Sequence, residues 1–197
     1  VAGQDGSSTT GIYSFAASDS FYDVRAGALE LVSNGAGIGK SGGNTLEFIS
    51  TGQVDADASG GIHLTSVSGN ALNVGLLNAG LSDIEIVADS GVTDEASDSA
   101  TDIIGASFKV SNGSNGSAGT ISLDTAVSNL NLNGGSITIH DGDGINLSFI
   151  QASSFDLLTD GIITDSGSLD IVGLAKFNST NHDITIGDGF EADRTTT

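Results

Sequence analysis

Two Asp-Gly runs, His140-Asp141-Gly142-Asp143-Gly144 and Gly187-Asp188-Gly189, set carboxylates on tight turns. Oxygen donors on such turns suit a hard ion, which makes Asp141, Asp143 and Asp188 the candidate ligands for loosely bound Ca²⁺. Neither run spells the Gly-Gly-x-Gly-x-Asp nonapeptide or the twelve-residue EF-hand loop, and Asp-Gly is also an ordinary turn dipeptide. His63, His140 and His182 each alternate with apolar neighbours, as in Ile62-His63-Leu64, so each is expected to face outward. Nothing in their spacing makes them converge as a zinc site or a Ser-His-Asp triad. Asn34-Gly35-Ala36-Gly37-Ile38-Gly39-Lys40-Ser41 comes close to a phosphate-binding loop. It has Asn where the first Gly belongs, and a strand rather than a helix follows it. It reads as a Gly-rich turn. Four Asn-x-Ser/Thr sequons, at Asn112, Asn115, Asn146 and Asn178, are chance matches in so Asn- and Ser-rich a chain.

The elements that must carry these residues follow from composition. The 197 residues include 29 Gly and no Pro, Cys, Met or Trp. Asp outnumbers Glu by 20 to 5, and Asp favours turns where Glu favours helices. Five basic residues against 25 acidic ones give a net charge of −20, which repels nucleic acid and anionic membrane. No apolar run is long enough to span a bilayer, so no membrane insertion is expected. Starting at Val1 without any Met, the chain reads as a processed product or a fragment. Without Cys, disulfide scaffolds and thiolate metal sites are excluded.

Short runs alternate apolar and polar residues and then meet Gly, Asn, Asp or Ser, as in Thr45-Leu46-Glu47-Phe48-Ile49, Thr120-Ile121-Ser122-Leu123 and Asp183-Ile184-Thr185-Ile186. Each reads as a strand with one face inward. Strands this short bury little alone, whereas stacked coils turn the inward Ile, Leu and Val into ladders. The expected fold is an all-β, right-handed parallel β-helix of about 20 residues per coil, some nine coils and about 45 Å long. A longer repeat of about 75 residues matches Val32 to Val110, Gly60-Gly61-Ile62 to Gly134-Gly135-Ser136-Ile137, and Gly91-Val92-Thr93-Asp94 to Ile162-Ile163-Thr164-Asp165. It divides the chain into 1–25, an aromatic segment; 26–105 and 106–175, two repeat blocks; and 176–197, a terminal coil with a polar tail. Tyr13, Phe15, Phe21 and Tyr22 supply four of the ten aromatics within the first segment, which is expected to cover one end of the rod or to contact a neighbouring subunit.

Gly27-Ala28-Leu29-Glu30-Leu31 followed by Gly37-Ile38-Gly39, Leu123-Asp124-Thr125-Ala126-Val127-Ser128-Asn129-Leu130, Gly161-Ile162-Ile163-Thr164-Asp165-Ser166-Gly167-Ser168-Leu169 and Asn181-His182-Asp183-Ile184-Thr185-Ile186 resemble the β-strand repeats of large bacterial exoproteins of the filamentous-haemagglutinin type, secreted with a partner. The resemblance covers about residues 26 to 190. It implies a secreted rod at the cell surface that serves as the shaft of an adhesin or filament, with further repeats or copies of itself end to end as partners. A glycan- or host-protein-binding module is the second reading. A polysaccharide-degrading β-helix enzyme is disfavoured, because Arg25, Lys40, Lys109, Lys176 and Arg194 lie in distant segments and Trp is absent. No cofactor is expected.

Overall fold

The structure is a computed structural model, and it describes residues 11–13, 22–42, 44–67, 69–94, 96, 98–111 and 119–187. Sixteen strands and no helix occur among them. All pairings between these strands are parallel, so each strand meets its counterpart one coil later, as expected of a parallel solenoid. Three strand series run up the rod. The first passes through Val24–Ala26, Leu46–Ser50, Ile62–Ser66 and Asp83–Ala88; the second through Leu29–Ser33 and Val54–Ala58; the third through Gly91–Asp94, Ser136–Asp141, Ser154–Thr159 and Ala175–Ser179. Long strands turn corners. In Thr120–Asn133, residues 120–122 pair with 91–93, 125–127 with 103–105, and 129–132 with 107–110.

Alternation fixes which side chains enter. Ile62, Leu64, Ile84 and Ile86 are wholly buried, while His63 and Glu85 between them face out. Register then stacks the inward side chains into ladders. Ile38, Ile62, Ile84, Phe108, Leu130 and Leu147 form one such ladder, every member 0% exposed. Each of these side chains contributes roughly 1.5–3 kcal/mol by burial.

A second inward ladder changes character along the rod. Leu31, Ala56, Leu77, Ile103, Thr125, Asp141, Thr159 and Ser179 are successive register partners, which counts eight coils. The seven steps span about 34 Å at about 4.8 Å each. Their sequence separations are 25, 21, 26, 22, 16, 18 and 20 residues, so coil length varies while pairing does not. After Ile103 the ladder is polar, and each oxygen is used at a corner. Thr125 Oγ1 donates to Asp141 Oδ2 over 2.8 Å, and the Asp143 amide donates to Asp141 Oδ1 over 3.1 Å. One coil on, Thr159 Oγ1 donates to the Asp143 carbonyl and accepts from the Gly161 amide. One coil further, Ser179 Oγ donates to the Gly161 carbonyl over 2.7 Å. The same turn is thus built at Asp141 and again at Thr159, and Ser179 continues the stack by bonding back to the corner before it.

Thr159→Val keeps the shape but strips both corner bonds, leaving the part-buried Asp143 carbonyl and Gly161 amide without them. The expected cost is about 2 kcal/mol, read from the urea unfolding midpoint, with Thr159→Ser losing much less. An unchanged midpoint in the valine variant would show that the corner bonds add no net stability.

The 75-residue matches do not share ladders. Val32 lies in register with Asp57, Asn78 and Ile104, whereas Val110 lies with Leu64, Ile86 and Leu132. The repeating unit is the coil, and its variable length displaces any fixed long period. No interruption falls at 105/106, which strand Ile103–Ser111 crosses.

Candidate functional site

The charged residues with the most perturbed surroundings lie where the second and third series meet. Asp94 ends strand Gly91–Asp94, Asp102 immediately precedes strand Ile103–Ser111, and Asp124 lies within Thr120–Asn133. Parallel pairing brings them together from three segments. The Asp102 amide donates to the Asp124 carbonyl over 2.8 Å, and its own carbonyl accepts from Leu77 N over 2.7 Å. These two ladder bonds draw Asp102 into the wall, where it is 2% exposed. One oxygen from each of the three carboxylates lies within 4.8 Å of the others. At that separation two charges repel by about 3 kcal/mol at an effective dielectric of about 20.

Partners temper this repulsion without cancelling it. Asp102 Oδ2 accepts from the Asp124 amide over 2.8 Å. Asp94 accepts from the Ala96 and Asp98 amides over 2.7 and 2.9 Å, which curls the following loop around it. Asp124 Oδ1 meets His140 Nδ1 at 2.9 Å. Burial pushes the Asp102 carboxyl up to about 7; the Asp124 amide opposes this, and the neighbouring Asp94, Asp124 and Asp98 carboxylates reinforce it. Near neutral pH such a group exchanges a proton, and three convergent carboxylates are also the donor set of a hard cation.

Of the residues singled out in the sequence, Asp141 is fully buried. Its oxygens take the Thr125 hydroxyl and the Val127 and Asp143 amides, so it serves the corner rather than an open loop. Burial raises its pKa to about 6 against the opposing Thr125 bond. Asp143 is exposed but stays beside Asp141, its carboxyl sharing a hydrogen bond that helps to hold the Asp141 pKa up, and Asp188 lies outside the described residues. Tyr13 and Tyr22 are exposed, and Lys40 Nζ sits 4.9 Å over the Tyr13 ring; Phe15 and Phe21 lie outside the described residues. The Gly37-Ile38-Gly39 run is a bridge of the first series, Ile38 pairing with Ile12 and Ile62.

His63 and His140 do sit on the outer side, but each faces an acid: His63 Nδ1 lies 3.4 Å from Glu85, and His140 meets Asp124. His182 is exposed. Burial works to raise the Glu85 pKa, yet the bond and charge of Lys109, with Ser41 and His63, hold it below the ordinary value. No reading of the sequence alone joined Asp94, Asp102 and Asp124. The available signal was Asp102 set directly against the apolar pair Ile103-Ile104 with no basic residue nearby.

Fold and site together define a parallel β-solenoid with a polar inner corner and a carboxylate cluster in its wall. No family model matches the chain, and neither a curated protein nor a solved structure matches it.

Proposed function

We propose that the chain is a segment of the structural shaft of a secreted bacterial surface adhesin or extracellular filament. The observation that carries this reading is the ladder of eight register partners running unbroken from Leu31 to Ser179. In such an array every coil rests on its neighbours, so rigidity extends along the rod and length scales with coil number. The distribution of basic groups favours a shaft over an enzyme. Lys109 is bound to Glu85 and Lys176 to Asp156, both over 2.7 Å, so two of the five cations already have their charge matched by an acid of the same wall. Ile184 and Ile186, beside the last strand pairings, are 44% and 40% exposed, a surface suited to receiving another coil from further chain or from a second copy.

Antibodies raised against the purified segment are expected to label intact, unpermeabilised cells. Tandem insertion of extra copies into the full-length product is expected to lengthen the surface filament by about 38 Å per copy, eight coils at the ladder spacing of about 4.8 Å. Label confined to permeabilised cells would overturn the reading.

A further inference from the structure

On a chain of net charge −20, one outward ladder is uncharged for most of its length. Asn73, Thr93, Ser122, Thr138, Asp156 and Lys176 are successive register partners on the third series. Five steps of about 4.8 Å carry this ladder about 24 Å along the rod. Its first four side chains each hold both a donor and an acceptor. Thr93 Oγ1 donates to Asn73 Oδ1 over 3.0 Å, and the two charges at the far end neutralise each other, Lys176 Nζ donating to Asp156 Oδ2 over 2.7 Å. Beside it runs a second hydroxyl row, where Ser136 and Ser154 are register partners and Ser154 Oγ donates to Ser136 Oγ over 3.0 Å. A cavity of about 230 Å³ opens here, lined by Ser136, Thr138, Ser154, Asp156, Leu174 and Lys176. Leu174, 64% exposed, supplies one apolar wall.

We propose that this face binds a neutral polysaccharide, its chain lying along the Asn73-to-Lys176 ladder with one ring in the cavity. The chemistry selects that class. Rows of hydroxyl and amide groups at fixed spacing exchange hydrogen bonds with a ligand that is itself a row of hydroxyls, and Leu174 offers the carbon face of a ring an apolar contact. Polyanions, uronates and sulfated glycans included, are repelled by the surrounding charge, and the lysine that would receive them is already paired with Asp156. A polycation would be drawn to the acidic surface at large, with no preference for this face. The assignment is independent of the shaft reading, since a rod serves as a shaft with or without a ligand on its flank.

The test is calorimetric titration of the whole chain with cellohexaose, laminarihexaose, mannohexaose and xylohexaose, with oligogalacturonate as the anionic counterpart. At least one neutral hexaose is expected to bind and oligogalacturonate is not. The double variant Ser122→Val, Thr138→Val keeps outward strand positions in a strand-favouring residue and is expected to weaken binding about tenfold or more, two lost hydrogen bonds being worth that much. Ser168→Val, off the ladder, is expected to leave affinity unchanged, and circular dichroism checks that each variant keeps its β signature. The proposal is overturned if no neutral hexaose binds at millimolar concentration, if oligogalacturonate binds as well as they do, or if the double variant binds undiminished. Reshaping of growing ice crystals without any oligosaccharide binding would assign the ladder to ordering water and would overturn it too.

Discussion

Replacing Gly91 with alanine is expected to cost on the order of 3 kcal/mol or more and to unfold the chain well before the wild type in urea. Gly91 has φ +104°, a backbone conformation that L side chains rarely adopt. A Cβ there would also stand 2.1 Å from the Thr120 carbonyl oxygen and 2.7 Å from its nitrogen. Those atoms belong to the pairing between strands 91–93 and 120–122, so the clash is relieved only by parting two coils. Strain of about 1–3 kcal/mol therefore adds to a packing penalty of similar size. Gly42 provides the comparison, since φ is +81° but nothing lies within 4 Å of its missing Cβ. Gly42→Ala should lose only about 1 kcal/mol. Equal losses at the two sites would show that backbone strain alone matters and that contact between coils does not.

The second large effect is a stability that rises on mild acidification. Folding raises the Asp102 pKa from 3.8 to about 7 and the Asp141 pKa from 3.8 to about 6. Between those limits the folded chain holds more protons than the unfolded one, so stability falls as pH climbs from about 4 to about 7, and above that the penalty is fully present. Glu85 works in the other direction, but its contribution is lost only as pH falls below its ordinary value of 4.5. The wild type should therefore be more resistant to urea at pH 5 than at pH 8. Asp102→Asn removes the buried charge while keeping an acceptor for the Asp124 amide. It should stabilise the fold at pH 8 by on the order of 2 kcal/mol, a figure reduced from the full shift because water screens the half-buried Asp94 and Asp124. At pH 5 variant and wild type should converge. A variant less stable than wild type at pH 8 would mean that Asp102 is held in its charged form by interactions stronger than the repulsion around it.

The strands were legible because the burial pattern and the alternation are one signal. Ile62-His63-Leu64 and Ile137-Thr138-Ile139 read as inward, outward, inward, and they are. The coils were legible as a class and not in register, since separations from 16 to 26 residues defeat any fixed-period comparison. Asp141 shows how a local rule masked a longer one. Judged by its Gly neighbour it belongs on an open turn, yet it continues the inward parity of Ile137 and Ile139, and parity wins. The same parity carries Phe155 and Leu157 to Thr159. The carboxylate cluster had no comparable signal. Asp94, Asp102 and Asp124 become neighbours only through the pairing of distant coils, and Ser-Asp-Ser-Ala-Thr-Asp reads as a solvated loop until the Asp102 backbone is drawn into the ladder.

The change from Leu31, Ala56, Leu77 and Ile103 to Thr125, Asp141, Thr159 and Ser179 gives the rod's interior a direction that its outline lacks. A uniformly apolar stack would accept a coil displaced by one place almost as readily as the correct one. Here a single displacement sets Asp141 against an aliphatic neighbour or robs it of the Thr125 hydroxyl, so misalignment is penalised from within. The polar rungs act as an index mark for the winding chain. They also make the two halves unequal in how they can evolve: duplication of a coil near Leu31 needs only another aliphatic rung, whereas one inserted near Thr159 must bring a hydroxyl or carboxylate and the corner that satisfies it.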